Sequence, residues 1–229
     1  MEKVGTNYGG WLIPKDIKLD SESIVYSGGV GEDISFDLLL SDKYDSNIVL
    51  IDPTERASKH YEEVKEYFKT KKWEFSGDIQ KDYYVKVGEL NVNFDKISYL
   101  NIGIWNKNEK LKFYKQNNPQ YVSQSLIGNM FGRKYDEVEV DNIKNIMEKQ
   151  GHDKIDLLKL DIEGAEIKVL NNMLDDKIYP RYLCIEFDLY LQKKDKNGET
   201  KTLLGRLIKI GYRVLKNDNY NVTLEYLKS

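Results

Sequence analysis

Short apolar runs alternate with helical patterns along most of the chain, and that alternation sets the expected architecture. Ser23-Ile24-Val25-Tyr26 reads as a buried strand that stops abruptly at Gly28-Gly29-Val30-Gly31. Ile34, Phe36, Leu38, Leu39 and Leu40 then suit a helix packed on a sheet. Asn47-Ile48-Val49-Leu50-Ile51 is a second strand, ended by Asp52-Pro53. After it, Ala57, Tyr61, Val64 and Phe68 fall on one face of an amphipathic helix. Residues 73–140 break this rhythm. Ile97 to Ile102 and Leu111 to Tyr114 are strand-like, with Asn106-Lys107-Asn108 as a turn between them, and the rest is polar, aromatic and irregular.

The alternation then resumes. Asp156-Leu157-Leu158-Lys159-Leu160 is a buried strand, and Ile167, Leu170 and Leu174 form a helical stripe. Tyr182 to Phe187 is another buried strand, followed by a helix carrying Leu203, Leu204, Leu207 and Ile208 and ended by Gly211. The tail, Tyr212-Arg213-Val214-Leu215, Asn217-Asp218-Asn219 and Val222-Thr223-Leu224-Glu225-Tyr226, reads as a β-hairpin. Strand–helix alternation of this kind builds parallel βαβ units. The predicted fold is therefore α/β: a doubly wound, mostly parallel sheet finishing in a C-terminal antiparallel hairpin. With no internal repeat and no Pro/Gly/Ser-rich linker, residues 1–229 are expected to form one domain, its 73–140 segment shaping a substrate site.

Composition removes several classes. Lys and Arg number 35 against 38 Asp and Glu, a net charge of -3, which argues against a broadly basic grip on nucleic-acid phosphates. No apolar run is long enough to span a bilayer. Met1-Glu2-Lys3-Val4-Gly5 lacks the apolar core of a secretory signal, and the lone Cys184 cannot form an internal disulfide. A reducing cytoplasm is the expected setting.

Chemistry concentrates at four predicted strand ends. Ser27-Gly28-Gly29-Val30-Gly31-Glu32-Asp33 places glycines at a strand-to-helix turn, where backbone approaches a ligand closely and helix N–H groups point outward. A tight turn needing positive φ accounts for the same glycines. Asp52, 21 residues beyond Gly31, ends the next strand, where an acid accepts hydrogen bonds from both hydroxyls of an adenosine ribose. It also suits a helix N-cap, and both roles can coexist. Asp161, Glu163 and Glu166 cluster where the third strand becomes a helix; one acid is explained by capping, the cluster less well. Glu186 and Asp188, two residues apart, are expected on one face of the following strand. Oxygen-only ligands of this kind suit Mg²⁺ or Ca²⁺, so a divalent cation is compatible with the rim but nothing in the sequence requires it.

At these residues the sequence resembles the FkbM-type S-adenosylmethionine-dependent methyltransferases. The resemblance rests on Ile24 to Asp37 and, more specifically, on Ile155-Asp156-Leu157-Leu158-Lys159-Leu160-Asp161-Ile162-Glu163-Gly164-Ala165-Glu166. Tyr8-Gly9-Gly10-Trp11, Asp52-Pro53-Thr54 and Glu186 support it, over residues 5 to 190. It implies a Rossmann-like methyltransferase sheet and S-adenosylmethionine as cofactor. The implied reaction is O-methylation of a hydroxyl on a sugar, glycan or small hydroxylated metabolite. It further implies cofactor contacts from Ser27, Gly28, Gly29, Gly31, Asp33, Asp52 and Asp161, and catalytic roles for Asp161, Glu163 and Glu186. Ser27 stands where many methyltransferases carry an acid, and Asp33 takes the third glycine position. A serine there still has a hydroxyl to offer the cofactor's amino group.

The remaining candidates are weaker. Ser123 and Ser125, between Tyr121 and Asn129, suit either the lining of a polar substrate pocket or an exposed loop. His60 is expected on the solvent side of its helix, His152 at the wrong end of its strand for catalysis, and Cys184 in the core. Tyr61-Glu62-Glu63-Val64-Lys65 has the Tyr-x-x-x-Lys spacing of nicotinamide-dependent reductases, but that spacing also marks one helical face. A non-catalytic relative that binds an adenosine ligand is the other alternative.

Overall fold

The structure is a computed structural model and describes residues 1–72, 81–116, 124–128, 131–195 and 197–228. A short hairpin of β1 (Glu2–Val4) and β2 (Trp11–Ile13) comes first. The alternating body begins with β3 (Ile24–Gly28), α1 (Ser35–Tyr44), β4 (Asn47–Ile51), α2 (Glu55–Thr70), α3 (Lys81–Val87) and β5 (Ile97–Leu100). Four further strands follow: β6 (Gly103–Ile104), β7 (Glu109–Lys115), β8 (Gln124–Ser125) and β9 (Tyr135–Asp141). The second half runs α4 (Ile143–Gln150), β10 (Leu157–Leu160), α5 (Glu166–Asp175) and β11 (Tyr182–Glu186). It ends with α6 (Asp188–Leu191), α7 (Glu199–Ile210), β12 (Tyr212–Asp218) and β13 (Asn221–Tyr226).

Seven strands form the main sheet in the order β12-β13-β11-β10-β3-β4-β5. β5, β4, β3, β10 and β11 are parallel, and β13 pairs antiparallel with both β11 and β12. This is the doubly wound sheet with a closing hairpin that the apolar pattern predicts. Parallel strands must be covered on both faces, and their side chains divide accordingly. Val25, Ile48, Leu50 and Leu157 pack with residues of α1, α2 and α3. Tyr26, Val49, Ile51, Leu158 and Leu160 pack with those of α4, α5 and α7. The chain winds outward from β3 to β5, returns to β10, and winds the other way. Loops diverge at such a reversal and open a crevice at the carboxyl ends of the strands.

Three expectations change. The 73–140 segment holds a four-stranded sheet, β6-β9-β7-β8, and Asn106-Lys107-Asn108 does not join paired strands, because β5 lies in the large sheet and β7 in the small one. β9 escaped notice because Tyr135 to Glu137 are exposed, so charge rather than an apolar run fills it. His60 is only 2% exposed, with its Nε2 3.0 Å from the Tyr83 hydroxyl. The helix α3 covers that flank of α2, and burial pushes the His60 pKa down to about 4. Third, the strand ends at Glu186, and Asp188 opens α6. Among the described residues, no helix is long and apolar enough to cross a membrane.

Candidate functional site

The reversal between β3 and β10 holds a cleft of about 550 Å³, within the size range of small-molecule sites. Its floor is the glycine turn after β3. Gly29 and Gly31 have φ of +71° and +53°, and a Cβ on Gly29 would overlap the Asp161 carbonyl. The close approach of these two strand ends therefore requires glycine. Gly29→Ala should abolish ligand binding in the cleft and destabilise the fold by at least about 2 kcal/mol, the scale of overpacking plus a strained φ. Urea unfolding checks this; a wild-type midpoint would contradict it.

Asp52 holds the turn from the side. Its Oδ2 accepts from the Val30 and Gly31 N–H groups at 3.1 and 3.0 Å. Its Oδ1 accepts from the Thr54 N–H and hydroxyl at 2.8 and 2.6 Å. The helix cap is Thr54 itself, whose hydroxyl accepts from the Ala57 N–H, so Asp52 braces the cap. A carboxylate has about four acceptor positions, and all four are used here. A ribose hydroxyl would have to share or displace one of these bonds.

Lys159 lies beneath the turn. Its neighbours in register are Ser27 and Cys184, at the centre of the sheet. The ammonium donates to the Gly29 carbonyl at 2.5 Å and stands 3.8 Å from Asp161, with its side chain 7% exposed. Nearby, Asp37 of α1 is buried and pushed up to about 6 by that burial, against the pull of Lys159 and of the Ser27 hydroxyl.

After β10 the chain turns through Glu163 and Gly164, both at positive φ. Two contacts fix this loop. Glu166 Oε1 accepts from the Ile162 and Gly164 N–H groups, and the Ser125 hydroxyl donates to the Glu163 carbonyl. Asp161 and Glu163 thereby line the cleft, joined by Glu186 and Asp188 from the neighbouring strand end. Burial, ahead of the other carboxylates, raises Asp161, moves Glu186 up to about 7 and holds Asp188 far above the usual range.

Of the residues singled out by sequence, Gly29, Gly31, Asp33, Asp52, Asp161, Glu163 and Glu186 meet in this cleft. Ser27, Gly28 and Ser125 stand behind its wall. Strand alternation turns Ser27 to the face of Val25, where it is fully buried; Gly28 makes room for Ile104; Ser125 props the Glu163 loop. Ser123 lies outside the described residues. Asp33 accepts from the Thr6 hydroxyl and the Ser35 N–H, which docks the N-terminal loop on α1 and places Tyr8 at the cleft mouth. Sequence reasoning gives no site role to Tyr8 or Lys159, and it places Asp188 on the acidic rim as a strand residue. The signal for Lys159 was a lone cation inside a buried apolar run.

Other candidates stand elsewhere. The Tyr61 hydroxyl donates to the Ile97 carbonyl inside the core and neither it nor Lys65 lines the cleft, so their spacing marks a helix face and not a reductase pair. His152 Nδ1 meets the Tyr26 hydroxyl at 2.9 Å, away from the cleft. Cys184 is a core residue whose thiol burial pushes up to about 12. Among the described residues, no group of three or more His, Cys, Asp or Glu is arranged to hold a metal ion.

The model of the methyltransferase FkbM domain matches residues 46–214, from the start of β4 into β12. The chain belongs to the FkbM methyltransferase family. The matched span includes Asp52, Asp161, Glu163 and Glu186 and begins after the glycine turn. A chain of the fibrillarin/Nop5p complex is similar over 91% of this chain and 74% of its own, at 12% identity and a TM-score of 0.42. No curated protein matches the chain significantly.

One feature of this methyltransferase couples stability to pH. Glu166 and Asp188 are both buried, and each leaves one oxygen without a donor among the described residues. Burial, and after it repulsion from Glu166, Glu163, Asp161 and Glu186, keeps a proton on Asp188; burial ahead of Asp161 pushes Glu166 up to about 8. The folded state thus binds a proton that the unfolded chain releases above about pH 4.5. Stability should fall as pH rises from there towards 8, and Asp188→Asn should flatten the fall. Urea midpoints across that window test it, and an unchanged slope in the variant would count against the pair.

Proposed function

We propose that this methyltransferase uses S-adenosylmethionine to methylate a hydroxyl group on a sugar, glycan or small hydroxylated metabolite. The observation that carries the reading is the convergence of the glycine turn, Asp52 and Asp161 on one cleft at the strand reversal. The residues present suit the cofactor. Nothing lies within 4 Å of where a Cβ on Gly31 would stand, so the turn is open to a ligand there, and the carboxylates of Asp161 and Glu186 suit a cation. Asp52 and the turn it braces would hold the ribose side, and Asp161 the methionine side. When bound, the cofactor supplies an electrophilic methyl carbon.

The chain's own residues do the rest. The cleft walls hold an acceptor oxygen in line, which is where most of the acceleration of such a displacement arises. Glu186, pushed up to about 7, is matched to taking the hydroxyl proton near neutral pH. Glu163, on the same rim, orients the acceptor.

Calorimetric titration with S-adenosylhomocysteine tests this reading. Saturable one-site binding is expected; no binding by the folded wild-type protein would overturn it. Binding without methyl transfer to any hydroxylated acceptor would instead favour a non-catalytic adenosine-ligand protein.

A further inference from the structure

The cleft is lined by more carboxyl groups than its cofactor would balance. At the ends of β10 and β11, Asp161, Glu163, Glu186 and Asp188 face the cleft, and Lys159 is the cation among them. Arg56, further along, pairs with Glu32 at 2.5 Å, and Lys3 donates to the Asn7 carbonyl. S-adenosylmethionine brings a sulfonium, an ammonium and a carboxylate, a net single positive charge. Its binding leaves the rim acidic.

A second observation points the same way. Asp188 is 3% exposed, lines the cleft, and its Oδ2 meets no donor among the described residues. A buried carboxyl oxygen without a donor is costly unless a ligand or proton supplies one. The Asn221 Oδ1 on the same wall is also without a donor there. Tyr8, 65% exposed at the cleft mouth, adds an aromatic ring to the same lining. Carboxylates beside an aromatic face are the surroundings that favour an ammonium group. A divalent ion fits less well, since no group of three or more ligands is arranged for one among the described residues.

We infer that the acceptor carries a protonated amine beside its hydroxyl, as an amino sugar or amino alcohol does, and that Glu186, Asp188 and Tyr8 receive that ammonium. This rests on the methyl-transfer reading and specifies its substrate class. Burial and the neighbouring carboxylates keep a proton on Asp188, and an arriving ammonium releases that proton to solvent.

The test is a titration of S-adenosylhomocysteine-loaded protein at low ionic strength with glucosamine, glucose and N-acetylglucosamine. Glucosamine should bind about tenfold or more tightly than the other two, the scale of one desolvated charge pair. The preference should vanish in Asp188→Asn protein loaded with S-adenosylhomocysteine, while glucose binding stays as in the wild type. Equal or weaker binding of glucosamine, no detectable binding of it, or a preference that survives in Asp188→Asn would each overturn the inference. Should S-adenosylhomocysteine itself not bind, the methyl-transfer reading fails, and the same sugar series on unloaded protein still decides whether the cleft selects an amine.

Discussion

Lys159→Met is expected to be the most damaging single substitution in this chain, costing about 3–5 kcal/mol, the usual penalty for removing one partner of a buried charge set. The ammonium is 7% exposed at the side chain and serves Gly29 and Asp161 directly. It also lowers Asp37 and Glu186 through space. Methionine nearly matches the volume, so the loss is electrostatic rather than a cavity. Without the cation, Asp37 sits buried and uncompensated, and the Gly29 carbonyl loses its donor. The contributions separate in a double-mutant cycle. Asp37→Asn should recover part of the loss in the Lys159→Met background while stabilising the wild type less. Urea unfolding of the four proteins measures this, and purely additive effects would exclude the proposed coupling.

Asp52→Ala should be the second largest, because one carboxylate satisfies four donors on two loops. Two of them are turn N–H groups with no alternative acceptor in place, and charge-assisted bonds of this kind contribute about 1.5–3 kcal/mol each when broken singly. Bonds sharing one acceptor are not additive, so an overall loss of about 2–4 kcal/mol is expected. For a chain of this size that lowers the melting temperature by roughly 5–15 °C. Affinity for S-adenosylhomocysteine should fall at least about a hundredfold, since the turn relaxes and the ribose contact goes with it. Asp52→Asn separates the two roles. Its remaining carbonyl oxygen can face the turn and preserve much of the stability, while cofactor affinity still drops. If Asp52→Ala melted and bound like the wild type, the bracing role would be wrong.

The sheet was legible because its strands are buried on both faces. Runs such as Asn47 to Ile51 and Tyr182 to Ile185 have no amphipathic alternative, and the glycine and Asp-Pro stops bound them. The small sheet was not legible. β9 exposes Tyr135 to Glu137, and its pairing with β7 depends on register rather than on an apolar run. The cleft acids could be read from position alone, as residues at the carboxyl ends of parallel strands. Depth could not. Its place in the motif points Ser27 to the cofactor, whereas the period of two puts it with Val25 on the face packed against α1. His60 was assigned to solvent because α2 reads as single-faced; α3, from a polar stretch, supplies the second cover. The role of Glu166 in holding two loop N–H groups also needed the left-handed turn at Glu163, which sequence does not announce.

We propose that the cleft between the β3 and β10 ends holds S-adenosylmethionine. A crystal structure of the protein with S-adenosylhomocysteine tests it most directly. The ligand should lie across the glycine turn, its ribose at Asp52 and its thioether end towards Asp161, with Glu163, Glu186 and Asp188 left facing open acceptor space. A ligand bound elsewhere, or oriented with its adenine over Asp161 and Glu186, would contradict the account.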